Sequence, residues 1–162
     1  MRLKLSKSFV LSASAAVVWA AVIFLFSAQD GNESSDMSGS FLAALCNLFG
    51  YSPSESDWEI MSFCIRKTAH MTEFGLLGLL VLNALYRGLG SFKWIWITSF
   101  AAASAYAATD EIHQLFIPGR SGRFTDWIID SAGILLWLSA AWLISRIISS
   151  RKANKQCNSE AK

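Results

Sequence analysis

Two stretches of the chain place ionisable side chains at helical spacing. In IRKTAHMTEFG, Arg66, His70 and Glu73 recur at i, i+4 and i+7, which puts them on one face of a helix. Histidine beside a carboxylate suits general acid–base chemistry, because an unperturbed imidazole has a pKa near ~6.5. Arginine grips phosphate or carboxylate through paired hydrogen bonds, and Lys67 adds a second cation next to it. This stretch therefore predicts proton transfer or anion binding.

The second stretch, DEIHQLFIPGRSGRFTD, repeats the pattern on another segment. Asp110, His113 and Gln114 fall at i, i+3 and i+4 and share a helix face. Glu111 points about 100° away from Asp110, toward a neighbouring helix or the headgroups. The turn at Pro118 to Arg120 ends this helix and redirects the chain.

Further polar groups follow the turn formed by Pro118 and Gly119. Arg120 and Arg123 could hold a phosphate or carboxylate, although attraction to anionic lipid headgroups explains them equally well. Asp126 and Asp130 lie at i and i+4 at the start of the next apolar run. Gly133 continues their stripe and would let another helix come close.

The motifs limit the chemistry that these residues indicate. The spacings HxxE and DExH are common, and the chain has no HExxH, GxSxG, P-loop or CxxC motif. No cofactor is predicted. A divalent metal remains a less favoured option, with five candidate ligands: His70, Glu73, Asp110, Glu111 and His113.

The composition is that of a membrane protein. Hydrophobic residues make up 53% of the 162 residues and charged residues only 16%, whereas soluble domains average about 25% charged. The net charge of +2 comes without a basic patch, so nucleic-acid binding is set aside. The three cysteines, which include Cys46 and Cys64, indicate no disulfide framework; apolar packing is favoured over a Cys46–Cys64 bridge.

Four apolar segments are long enough to cross a bilayer as helices. They are residues 9–26, 71–86, 92–109 and 127–148. The first is interpreted as an uncleaved anchor rather than a signal peptide, because its apolar run is long. A cut after Ala28 would also require a small residue where Phe26 stands.

The first loop is predicted to contain helix as well. FLAALCNLF, residues 41–49, has helical periodicity and stops at Gly50, which indicates a short interfacial helix. Ser54 follows Pro53 and precedes Asp57 by three residues, as in a capping box. The helix that begins there can continue without a break into the second span.

Basic residues predict the orientation. Nine of them lie on one side of a four-span arrangement, which places both termini in the cytoplasm: Arg2, Lys4, Lys7, Arg87, Lys93, Arg146, Arg151, Lys152 and Lys155. The predicted organisation is a cytoplasmic N-terminus (1–8), a membrane domain (9–148) and a disordered cytoplasmic tail (149–162). Both charged stretches then face the extracytoplasmic side.

This placement predicts a polar pocket between helices. Ionisable groups within spans cost roughly 2.5–3.5 kcal/mol near the helix centre, unless they face a cavity or one another. We expect Arg66, Arg120 and Arg123 to balance four carboxylates: Glu73, Asp110, Asp126 and Asp130. Structural ion pairing or snorkelling to the headgroups is the alternative.

Two segments, RKTAHMTEFGLLGLL and TDEIHQLFIPGRSGRFTDWIIDSAG, resemble the VanZ-like family of bacterial membrane proteins. The FSAQ that follows the first span also fits that pattern. The resemblance implies a multi-span protein of the cytoplasmic membrane, from a family named for an accessory factor in glycopeptide antibiotic resistance. This sequence departs from the family pattern at Asp130, where relatives often carry Asn.

The sequence leads to one main expectation and two alternatives. The main one is an all-α, four-helix membrane protein that binds an anionic envelope component, such as a lipid-linked phosphate or a peptide carboxylate, in envelope maintenance or antibiotic resistance. The first alternative is a membrane-embedded hydrolase or transferase acting on a lipid-linked headgroup, with catalysis by His70, Glu73, Asp110 and Glu111. The second is a structural subunit whose charges pair with another protein; no particular protein partner is predicted.

Overall fold

The computed structural model describes residues 6–90 and 94–160, with side chains as far as residue 152. This part of the chain is all-helical. Its five helices are α1 (Lys7–Ser27), α2 (Gly31–Phe49), α3 (Glu55–Leu89), α4 (Ile95–Gln114) and α5 (Phe124–Glu160). In α1, α3 and α5 the helix is long and apolar enough to cross a membrane. Helix α4, the third predicted span, does not reach this hydropathy, because it carries Ser and Thr residues and has Asp110 and Glu111 near its C-terminal end.

The predicted helix limits around Ser54 and Gly50 are confirmed. Ser54 is the N-cap of α3: its Oγ accepts from the Asp57 backbone N–H at 3.2 Å and donates to Asp57 Oδ2 at 2.7 Å. From there α3 runs 35 residues without a break. Gly50 ends α2 at φ 64°, a left-handed conformation that glycine adopts without a Cβ clash.

Two predicted boundaries differ from the structure. Helix α2 begins at Gly31 rather than at residue 41, because the Asp30 side chain accepts from the backbone N–H groups of Asn32 and Glu33 at 2.9 and 2.8 Å. Helix α5 continues to Glu160, whereas disorder was predicted from residue 149; no glycine or proline follows Gly133 to stop it. Residues 1–5, 91–93 and 161–162, which include the predicted start of the third span, lie outside the described part.

Helices α3 and α5 pack with their backbones in close contact. An added Cβ at Gly133 would lie 2.7 Å from Met71 Cα, and one at Gly75 would overlap the Trp137 ring. The close approach expected at Gly133 is therefore confirmed. The buried apolar core beside this contact draws on α1, α3, α4 and α5, and consists of Ile23, Phe74, Leu77, Ala103, Ala107, Ile134 and Leu138.

Side-chain hydrogen bonds fix α1 against α3 and α4. The Trp19 indole donates to the Glu73 carbonyl at 2.9 Å, and the Tyr106 hydroxyl donates to the Ala20 carbonyl at 2.7 Å. These bonds hold the C-terminal half of α1 beside the polar part of α3. The surfaces that face away are apolar, with Leu11 74% exposed and Leu136 62% exposed, as expected of helices that contact lipid.

Candidate functional site

Side chains from four helices and two loops, most of them polar, line a partly open cavity of about 100 Å³, which we call the central cavity. It lies where the end of α1, the first half of α2, the middle of α3 and the end of α4 meet. Its lining residues are Ile23, Phe26, Ser27, Gln29, Ser34, Met37, Ser38, Arg66, Ala69, His70, Glu73, Asp110 and Arg120. The two predicted polar stretches therefore meet in one place.

Helix α3 supplies three of the ionisable groups. Arg66, His70 and Glu73 all line the central cavity, as their spacing predicted. Arg66 Nη2 donates to Ser35 Oγ on α2 at 3.1 Å, whereas its buried Nε has no hydrogen-bond partner among the described residues. The His70 ring lies 6.3 Å from the Phe74 ring, centroid to centroid, in a stacked arrangement.

Helix α4 contributes Asp110 from its last turns. Both Asp110 and Gln114 are buried, and Gln114 Nε2 donates to Asp110 Oδ2 at 2.8 Å. Because this bond fixes the orientation of the carboxylate, Gln114 acts on the cavity through Asp110 rather than by lining it.

Arg120 reaches the cavity from the loop between α4 and α5. Its Nε and Nη2 donate to the carbonyls of Gln29 and Phe26, each at 3.2 Å. A cation at these carbonyls complements the negative end of the α1 dipole. Burial, followed by repulsion from Arg66, lowers the pKa of Arg120.

The loop that carries Arg120 is held against the start of α2. The Gly31 backbone N–H donates to the Pro118 carbonyl at 3.0 Å, and a Cβ at Gly31 would overlap the carbonyl of Gly119. Gly119 has a φ of 71°, a backbone conformation that disfavours other residues. Pro118 and Gly119 thus place Arg120 beside the end of α1.

A second group of charges, which we call the Lys67 cluster, lies between α3, α4 and α5. It consists of Lys67, Glu111, Asp126 and Asp130. Lys67 Nζ and Asp126 Oδ2 are 2.6 Å apart, and Glu111 Oε2 accepts from the Arg123 backbone N–H at 2.8 Å. Asp130 is 2% exposed, and its Oδ2 has no hydrogen-bond partner within the described chain.

The structure thus divides the predicted site residues between two places. Two of them place their side chains outside both groups: His113 stacks on Phe24, with ring centroids 4.6 Å apart, and Arg123 gives only its backbone N–H to Glu111 while its side chain lies along a mostly apolar surface. The arginines expected to balance the carboxylates form no direct ion pair with them in the described residues. Within residues 6–90 and 94–152, the ion pair shorter than 4.0 Å joins Lys67 to Asp126.

Eight cavity residues did not enter the sequence prediction as site residues: Ile23, Phe26, Ser27, Gln29, Ser34, Met37, Ser38 and Ala69. Three of them, Ser34, Met37 and Ser38, belong to α2, whose first ten residues were predicted to be loop. The pair Asp30 and Glu33, an N-cap residue with a glutamate three positions later, is the sequence signal that would have revealed this helix. In the described residues, no three His, Cys, Asp or Glu side chains are arranged to hold a metal ion.

Helices α1, α3 and α5, each long and apolar enough to cross a membrane, indicate an integral membrane protein. The model of the VanZ/LLP1 family matches residues 13–145, which include every residue of the central cavity and of the Lys67 cluster. The chain belongs to the VanZ/LLP1 family. No curated protein and no solved structure matches it.

Proposed function

We propose that the protein binds the anionic group of a cell-envelope molecule in the central cavity. The observation that carries this proposal is that Arg66 and Arg120, 54 positions apart in the sequence, line one cavity together with His70, Glu73 and Asp110. The binding would serve envelope maintenance, and glycopeptide resistance is the particular phenotype that the family's name suggests.

The size of the cavity limits what enters it. Pockets for drug-sized ligands occupy about 300–1,000 Å³, whereas the central cavity measures about 100 Å³. A single phosphate or carboxylate fits this space, and the rest of the molecule must stay outside. We therefore propose that the cavity recognises a headgroup and not a whole lipid or peptide.

The hydrogen-bonding state of the cavity favours an anion with several oxygens. Arg66 Nε offers a buried donor that lacks a partner in the described residues. Buried donors without acceptors are rare in folded proteins, so a bound oxygen would restore the usual pairing. Glu73 and Asp110 can in turn accept from a hydroxyl or a protonated oxygen of the same ligand.

We also propose four membrane crossings, with the central cavity facing the extracytoplasmic side of the bacterial cytoplasmic membrane and both termini in the cytoplasm. Helix α4 is joined to α3 by a short connection and contacts the start of α5 through Glu111 and Arg123 N. Helix α4 would thus run from the C-terminal end of α3 to the N-terminal end of α5. Its polar residues would be shielded from lipid by contacts with α1, α3 and α5.

A membrane-embedded hydrolase or transferase is the second candidate. The observation in its favour is that His70, Glu73 and Asp110 line the same cavity as the two arginines. An acid and a base beside an anion site are the groups that attack on a phosphate or carboxylate ester requires.

Binding of small probes to the purified full-length protein tests the main proposal. We expect glycerol phosphate or N-acetylalanine to bind the wild type by isothermal titration calorimetry, and Arg66→Gln to weaken that binding about tenfold or more, because a charge-assisted bond is lost. Arg87→Gln, near the other end of α3, is the matched control. Binding of neither probe by the wild type, or equal binding by Arg66→Gln, would contradict the proposal.

Two native cysteines test the topology. In the proposed orientation Cys64 lies in the extracytoplasmic half of α3, and Cys157 lies in the cytoplasmic tail. An impermeant maleimide should label the Cys46→Ser/Cys157→Ser protein in intact cells, because Cys64 is exposed. It should label Cys46→Ser/Cys64→Ser only after the membrane is opened. Labelling of both from outside would overturn the four-span arrangement.

A further inference from the structure

A second, larger space opens beside the central cavity, between α2 and α3. This α2–α3 groove has a volume of about 870 Å³ and is lined by Ser35, Asp36, Gly39, Ser40, Ala43, Trp58, Glu59, Ser62, Phe63 and Arg66. Arg66 lines both the groove and the cavity. A ligand whose anionic group reaches Arg66 therefore has the groove available for its neighbouring atoms.

Ser62 and Arg66 bring a hydroxyl and a guanidinium to the part of the groove next to the central cavity. Ser62 Oγ and Arg66 Nε are both buried, and neither has a partner in the part of the chain that the structure describes. The two residues lie one turn apart on α3. Long helical side chains point toward the N-terminus, so Arg66 leans toward Ser62. An anion that lies between them would accept from both groups.

The outer part of the groove has the opposite character. Asp36 on α2 and Glu59 on α3 supply two exposed carboxylates, and the half-buried Trp58 supplies an aromatic ring between the same helices. Carboxylates next to an aromatic face are the surroundings that a cation prefers. A ligand with negative charge alone would be repelled here, so this end of the groove selects against it.

Glu59, Ser62 and Arg66 form one stripe along α3, at i, i+3 and i+7. Along this stripe the charge changes from negative to positive over about 10 Å of helix. We propose that the α2–α3 groove recognises a zwitterionic phospholipid headgroup, with its phosphate at Arg66 and Ser62 and its primary ammonium at Asp36, Glu59 and Trp58. This inference rests on the proposed function, because both use Arg66 as the anion site.

Lipid selectivity of the purified full-length protein tests this inference. Native mass spectrometry is used to titrate the delipidated protein with phosphatidylethanolamine and with phosphatidylglycerol of the same acyl chains. We expect the wild type to prefer phosphatidylethanolamine about tenfold, since the ammonium gains charge-assisted bonds where the glycerol hydroxyls meet carboxylates. Asp36→Asn/Glu59→Gln should bring the two affinities to within about twofold.

The matched control is Glu33→Gln/Glu55→Gln, which removes one charge from each of the same two helices at exposed positions that do not line the groove. It should keep the preference of the wild type. A wild type without a preference, or a preference that survives Asp36→Asn/Glu59→Gln, would overturn the inference.

Arg66→Gln separates this inference from the proposed function. We expect this variant to bind both lipids more weakly than the wild type does. If it does so while the wild type shows no preference between the lipids, the zwitterion inference fails and the anion site stands. If Arg66→Gln binds both lipids as tightly as the wild type, the anion site fails, and with it the inference.

Discussion

Arg66 and Lys67 are neighbours in the sequence but belong to different polar regions. Arg66 points toward α1 and α2 and lines the central cavity, whereas Lys67 points toward α5 and pairs with Asp126. Successive residues on a helix are about 100° apart, so adjacent cations on a helix surrounded by other helices face different neighbours. The neighbouring charges of this stretch of α3 therefore belong to two separate polar regions.

The two regions also differ in how far their polar groups are satisfied. In the Lys67 cluster, a 2.6 Å ion pair and the bond from Arg123 N to Glu111 satisfy three of the four charged side chains. Arg66, which lines the central cavity, has a buried Nε without a partner among the described residues, and about 100 Å³ is open within the cavity. Closed pairing indicates a structural role, and unpaired donors facing a cavity indicate a binding role.

Stability measurements on Lys67→Met and Arg66→Gln should separate these roles most strongly. Lys67→Met leaves Asp126 without its partner near other carboxylates. Breaking a fully buried pair costs ~3–5 kcal/mol, but each side chain here is 18% exposed. We therefore expect a loss of about 2 kcal/mol in the free energy of unfolding. Unfolding in detergent with increasing SDS measures it.

Arg66→Gln, one position away, is the matched comparison. Its side chain makes one bond to another side chain, so we expect it to change the free energy of unfolding by less than about 1 kcal/mol. Equal destabilisation by both substitutions would remove the distinction between a structural and a binding region. Restored stability in Lys67→Met/Asp126→Leu would show that the cost of Lys67→Met comes from the unpaired carboxylate.

Local sequence signals predicted the parts of the fold that depend on neighbouring residues. The N-cap at Ser54 and the C-cap at Gly50 were predicted because capping needs only a short polar side chain or a residue without Cβ. The close approach at Gly133 was predicted for the same reason. Helical periodicity alone placed Arg66, His70 and Glu73 on the cavity side of α3, whereas His113, predicted to share the face of Asp110, stacks on Phe24.

The arrangement between helices could not be predicted in this way. Periodicity shows that Arg66 and Lys67 point in different directions, but not which helix each one meets. Arg120 was predicted to hold an anion or balance a carboxylate; that its guanidinium also donates to the Phe26 and Gln29 carbonyls was not predicted. That contact depends on a loop 91 residues away folding back over the end of α1, which no local pattern encodes.

Asp130 gives the smallest expected effect in the comparison between the Lys67 cluster and the central cavity. It is the one member of the Lys67 cluster without a hydrogen bond in the described residues. It is 2% exposed, and its Oδ2 is unpaired. An isolated buried carboxylate is far more costly than a neutral group of the same shape. We therefore expect Asp130→Asn to leave the free energy of unfolding within about 0.5 kcal/mol of the wild type, or to raise it.

Asp126→Asn, which removes the partner of Lys67, is the control and should destabilise the protein. A loss of 2 kcal/mol or more in Asp130→Asn would mean that Asp130 is ionised and shares Lys67 with Asp126. The cluster would then carry excess negative charge rather than a closed set of pairs.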